Sequence, residues 1–176
     1  MGRINFVCAL LSLAGCFYGH GRTPPETRPV STEPKVALYQ RKEKYNEEEY
    51  APYKKAGTGS ISGQAFAKTN RGDVKYGAGN TVFLTPETKY SAEWYAYGVV
   101  LRNKFAEPGV PEAGAFTRET LGDGFGHFRF EELPAGDYYV FCEIKWRVSM
   151  HEETGGYVYA RVSLKDGEKK TVVVTR

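Results

Sequence analysis

The sequence predicts a mostly β protein, an antiparallel β-sandwich of six or seven short strands with one helix inserted. Two observations predict it. From Gly57 onward, short runs alternate apolar and polar residues and are broken by turn residues. Between Pro86 and Thr120 that alternation stops, and a helical period replaces it.

Taken in order, Gly59 to Ala67 places Ile61, Gly63, Ala65 and Ala67 on one face. Arg71-Gly72-Asp73 spells an integrin-binding triplet, but Gly72-Asp73 reads as a turn after this first strand. Thr81 to Thr85 is a short apolar strand ended by Pro86. In the next segment Tyr90, Trp94, Tyr97 and Leu101 recur at spacings of four, three and four, so a helix is expected over 87–103. Phe105 to Phe116, with Pro108, Gly109, Pro111 and Gly114, reads as a loop returning to the sheet. Phe128 and Phe130 share a face in His127 to Glu131, which turns His127 toward solvent. Tyr138 to Trp146 is the longest expected strand, with Tyr138, Val140, Cys142, Ile144 and Trp146 on one side. Val158, Ala160, Val162 and Leu164 alternate in the next strand, Asp166-Gly167 reads as a hairpin turn, and Lys170 to Thr175 is the last strand.

The long strand is unusual because Tyr139 and Phe141 make its second face apolar too. A strand of a plain sandwich shows one polar face. The inserted helix is expected to cover that face with its aromatic stripe. The same stripe left exposed would be an interface for a partner, since Tyr and Trp are frequent interface anchors. Trp94, Tyr97, Tyr139 and Tyr157 are therefore the candidate binding surface.

The N-terminus has a different character. Arg3 precedes a mostly apolar run, Ile4 to Leu13, of about ten residues, where a membrane-spanning helix needs about twenty. This fits a secretory signal. Leu13-Ala14-Gly15-Cys16 then resembles the lipobox of bacterial lipoproteins. The resemblance implies a signal peptide over 1–15, cleavage before Cys16 and a lipid such as palmitate on that cysteine. Phe17, where an inner-membrane lipoprotein carries Asp, implies delivery to the outer membrane. Residues 16–56 then read as lipidated Cys and flexible tether, because five of the nine prolines and dense charges of both signs fall in that stretch. A helix somewhere in Val36 to Tyr50 is the alternative for its last part. The domain proper is 57–176.

Composition adds limits. The net charge of +3 is spread along the chain and gives no case for nucleic acid. Of three cysteines, Cys8 leaves with the signal and Cys16 carries lipid, so Cys142 stands alone as an expected buried thiol.

The stretch from Thr120 to Val140 (Thr-Leu-Gly-Asp-Gly-Phe-Gly-His-Phe-Arg-Phe-Glu-Glu-Leu-Pro-Ala-Gly-Asp-Tyr-Tyr-Val) resembles the signature of carboxypeptidase regulatory-like, transthyretin-like domains. The opening Gly-x-Ile-x-Gly and the strand from Gly79 to Leu84 match as well. The resemblance implies a seven-stranded transthyretin-like β-sandwich, from which the helical insertion is a departure. Its residues shape turns: Asp123-Gly124 is expected to use glycine's tolerance of positive φ, and Pro134 fixes φ in a tight connection that leaves Leu133 plugging the core.

No catalytic constellation is apparent. His151-Glu152-Glu153 starts like a zinc-protease motif, but Gly155 stands where the second His is required. His20, His127 and His151 lack ligand spacing, so no metal and no cofactor are implied. Hydroxyisourate hydrolases of the transthyretin family end in Tyr-Arg-Gly-Ser, and isopeptide-forming adhesin domains need an Asn at the end of the last strand. This chain has Val174-Thr175-Arg176 there. The expectation is a non-catalytic envelope lipoprotein that binds another envelope protein or contributes to an assembly. The alternative is a small-ligand or carbohydrate binder using exposed aromatics near Tyr139 and Tyr157.

Overall fold

Two four-stranded sheets face each other across one apolar core in the computed structural model, which describes residues 38–176. The signal peptide, Leu13-Ala14-Gly15-Cys16 and the first part of the expected tether lie outside the described residues.

The first sheet is built on β1 (Gly59–Lys68). It pairs antiparallel with β2 (Val74–Tyr76) and β5 (His127–Leu133), and parallel with β8 (Lys169–Val174). The second sheet runs β4 (Arg118–Leu121), β3 (Thr81–Pro86), β6 (Gly136–Ser149), β7 (Glu152–Leu164). Alternation decides what enters the core. Ile61, Ala65 and Ala67 of β1 face Val82 and Leu84 of β3, Tyr138, Val140, Cys142 and Ile144 of β6, and Val158, Val162 and Leu164 of β7. Leu133 plugs one end at 1% exposure, and the Tyr138 hydroxyl donates to the Pro134 carbonyl at 2.7 Å, holding the connection over it.

Three details depart from the expectation. Among the described residues there are eight strands, because β2 and β4 are only three and four residues long and bury no side chain, too short for alternation to mark them. Asp166-Gly167 does turn the chain, with Gly167 at φ 66°, but no hairpin ladder forms. Instead β8 crosses to the facing sheet and pairs with β1 along Ser60 to Ala65, and its link to β7 is the single bridge Tyr159–Thr175. In the Asp123 turn the positive φ belongs to Gly126 (74°), where a side chain would strike the Ala65 carbonyl. The Asp123 carboxylate accepts the backbone N–H groups of Phe125 and His127 and contacts His127 Nδ1 at 3.1 Å, at the exposed surface.

The Arg71-Gly72-Asp73 triplet is a turn: Gly72 has φ 92° and its N–H donates to the Thr69 carbonyl. Gly63 answers to a close approach. It stands in register with both Phe128 and Val172, and a Cβ there would lie 2.1 Å from the Val172 carbonyl oxygen. Gly63→Ala is expected to lower stability by about 2 kcal/mol or more in urea melts, since rigid backbone must yield. Cys142 is fully buried, and burial pushes its thiol up to about 11. A thiol reagent is expected to label it only as fast as the domain unfolds.

Candidate functional site

A third layer covers the outer face of the second sheet. Thr88 caps its helix through a reciprocal pair: its Oγ1 accepts from the Ser91 N–H, and Ser91 Oγ accepts from the Thr88 N–H. The helix α2 (Lys89–Trp94) then widens into a π-helical stretch, Tyr95–Val100, in which the Leu101 N–H donates to the Ala96 carbonyl. Five-residue bonding changes which side chains share a face. Val99, five residues after Trp94, is buried, whereas Leu101 is 60% exposed and Tyr97 turns to stack on Tyr39 at 3.9 Å. The residues that meet β6 are Trp94, edge-on to Phe141 at 4.9 Å, and Tyr95, stacked on Tyr139 at 3.9 Å. Such aromatic pairs add about 1 kcal/mol each beyond the area they bury.

The helix does cover the second face of β6, but its contact stripe is not Tyr90-Trp94-Tyr97-Leu101. Tyr95, which periodicity of 3.6 leaves off the stripe, takes the central place. Burial, with Tyr159 and Glu87 nearby, pushes its hydroxyl up to about 12.

Residues 38–56 also differ from the expected tether. Tyr39 bridges to Phe105, Tyr50 is 1% exposed, and a single turn, α1 (Glu47–Tyr50), follows Asn46, whose side chain accepts from the Glu48 N–H. The anchor is Glu93. Its carboxylate accepts the Lys42 N–H at 2.8 Å, the Glu43 N–H at 3.1 Å and the Tyr39 hydroxyl at 3.0 Å, with the Arg41 guanidinium 3.7 Å away. Arg41 in turn lies over the Tyr90 and Phe105 rings at 4.0 and 4.6 Å. Composition misleads here: a charged, proline-bearing segment stays ordered when its backbone N–H groups and one cation converge on a buried carboxylate.

Beneath this layer lies an aromatic groove. Phe83 and Phe141 stack at 5.1 Å and form its floor, with Trp94 on one side and Tyr157 on the other. Val110 and Pro111, held by Tyr90, whose hydroxyl accepts the Val110 N–H, form a further wall with α3 (Pro111–Gly114). This hollow measures about 470 Å³. It adjoins a second of about 810 Å³, with Arg41, Trp94, Gly109 and Tyr157 common to both. Polar groups ring the second part: Arg102, Asn103, Lys104 and the pair Lys145–Glu143 at 2.8 Å. Arg102 has φ 58° and lays its guanidinium over Gly156, where a Cβ would sit 2.7 Å from Nη2. Ligand sites are commonly hollows of this size, largely apolar with a few polar groups at the rim.

Of the four expected surface aromatics, the structure brings Trp94 and Tyr157 together in the groove. It does not bring Tyr97, which packs on Tyr39, or Tyr139, which is only 5% exposed beneath Tyr95. Tyr139 was expected as an exposed aromatic; burial under the third layer overturns that. Phe83, Glu119, Arg102 and the Gly155-Gly156 pair were not singled out, and a glycine pair inside a strand is the signal that points to a close approach.

No protein-family model matches the chain, and no curated protein does. The chain is similar to a crystal structure. That structure is of a candidate carbohydrate-binding protein from Pseudomonas aeruginosa, with 29% sequence identity and a TM-score of 0.65, covering 75% of this chain and 97% of that one. A slighter likeness, at 17% identity and a TM-score of 0.36 over 68% of this chain and 44% of the other, is to a minor pilin of Streptococcus agalactiae.

Glu93 makes a pH prediction. Burial raises its carboxyl, but the two backbone donors, Tyr39 and Arg41 outweigh it, and the net shift is downward from an ordinary glutamate. The anchorage is therefore complete above the unfolded value and is lost as pH falls through the folded one. Amide protection of Lys42 and Glu43, followed by NMR, is expected to persist down to the ordinary glutamate range and vanish below it. Glu93→Ala is expected to cost on the order of 2–3 kcal/mol, because several donors lose their acceptor.

Proposed function

We propose that this protein is a lipid-anchored, non-catalytic carbohydrate-binding module of the bacterial envelope. The observation that carries the binding function is the groove between the inserted layer and the second sheet. Aromatic side chains at Phe83, Trp94 and Tyr157, each half-buried, suit the apolar face of a sugar ring, and Glu119, Asn103, Arg102 and the Lys145–Glu143 pair stand where hydroxyls would need partners. The likeness to the Pseudomonas aeruginosa protein over nearly its whole length supports the same reading. Assignment to the carboxypeptidase regulatory-like domains belongs with it and rests on the 120–140 signature together with the two-sheet architecture.

The anchor rests on the sequence alone. Cys16 receives the lipid after removal of residues 1–15, and Phe17 directs the protein to the outer membrane. Residues 38–56 fold onto the domain and are not part of the tether. A second reading, that the domain binds another envelope protein, is favoured by one observation: Val100 and Leu101 stand exposed at the end of the helical insertion.

Isothermal titration against a panel of oligosaccharides tests the groove. Trp94→Leu, which keeps apolar bulk against Phe141, and Tyr157→Ala are each expected to weaken binding on the order of tenfold while the melting curve stays cooperative. If no saccharide binds, and a photoreactive residue at position 101 captures one envelope protein reproducibly, the second reading replaces the first. For the anchor, Cys16→Ser is expected to abolish palmitate labelling of the protein.

A further inference from the structure

The end of the sandwich away from Leu133, where β1 turns into β2 and β6 into β7, carries a cleft of about 570 Å³. Five cations line it: Lys68, Arg71, Lys75, Arg147 and Arg176. Asp73 is the one acid among the lining residues, and among the described residues none of the five cations forms an ion pair. Glu152 and Glu153 lie on the returning arm of the β6–β7 hairpin, opposite Ser149 and Arg147 in register, and do not line the cleft. The cleft therefore presents concentrated positive charge on a chain whose overall charge is small.

The tip of the same hairpin adds a second feature. Val148 is 53% exposed and Met150 is 86% exposed. Single exposed apolar residues are ordinary. Two on a projecting turn beside unpaired cations are a combination with one chemistry: apolar side chains for the acyl boundary and cations for phosphate. Trp146, half-buried against the core, stands behind them where an amphipathic ring meets the interface. A soluble polyanion would engage the cations and leave Met150 in water, so the bilayer is the occupant that uses both.

We propose that this end of the domain docks on an anionic bilayer surface, with Val148 and Met150 entering the headgroup boundary and the five cations contacting lipid phosphates. The site is separate from the aromatic groove and shares no lining residue with it.

Flotation of the full chain carrying Cys16→Ser, which takes no lipid, tests this with phosphatidylcholine vesicles and with vesicles containing phosphatidylglycerol. The N-terminal apolar run acts equally in every variant, so the comparison between variants isolates the cleft. Lys68→Glu with Arg71→Glu is expected to weaken binding to the anionic vesicles at least tenfold, since each basic residue near such a surface contributes substantially and the effect falls with salt. Val148→Ser with Met150→Ser is expected to weaken it several-fold. All four positions are exposed, so thermal melts are expected to match the parent. Unchanged binding in either double variant overturns the proposal. So does a result in which only charge reversal acts and dextran sulfate competes fully, which would assign the cleft to a soluble polyanion.

Discussion

Strand β6 carries Tyr138, Val140, Cys142 and Ile144 into the space between the sheets and Tyr139 and Phe141 onto the outside. A central strand with two apolar faces cannot be left with one of them in water without losing a couple of kcal/mol for each large side chain exposed. The third layer follows from that constraint. The insertion after β3 supplies Trp94 and Tyr95 to cover Phe141 and Tyr139, and β6 pairs with β3 and β7 to hold the aromatic rows in register. The groove exists because the cover is incomplete: between Trp94 and Tyr157 the half-buried Phe83 remains accessible, with Phe141 stacked against it.

The insertion is itself held by residues remote in sequence. Its carboxylate Glu93 gathers the backbone of 42–43 and the Tyr39 hydroxyl, and Lys89 N–H is accepted by Glu49. Tyr50 closes the other end, receiving the Thr88 hydroxyl's hydrogen bond and lying 4.7 Å from Phe116. A strap that looked like spacer thus clamps the layer that shapes the groove. The coupling is reciprocal: Glu93 accepts from the strap, while Glu49 and Tyr50 of the strap accept from Lys89 and Thr88, so each orders the other.

The two candidate surfaces use opposite physics. The groove is apolar at its floor and ringed by polar groups, suited to a neutral or weakly charged ligand held by stacking and hydrogen bonds. The cleft at the β6–β7 tip is a long-range electrostatic feature with an apolar point. Under the two proposals, one end of the domain would face a membrane and a flank would face a saccharide.

Much of the sandwich was legible from residues 57–176 because period-two alternation and the 120–140 signature are local, and Ile61, Phe130, Val140 and Cys142 fall where alternation puts them. The need for a cover over Tyr139 and Phe141 was legible for the same reason. Tertiary structure alone decided the rest. The path of β8 to β1 depends on which sheet can accept a parallel edge, which no turn sequence encodes. The π-helical stretch moves Tyr97 and Leu101 off the sheet because its period departs from the 3.6 that sequence reading assumes. The order of 38–56 depends on a carboxylate some fifty residues away, and charge density along a chain carries no information about where its partners will be folded.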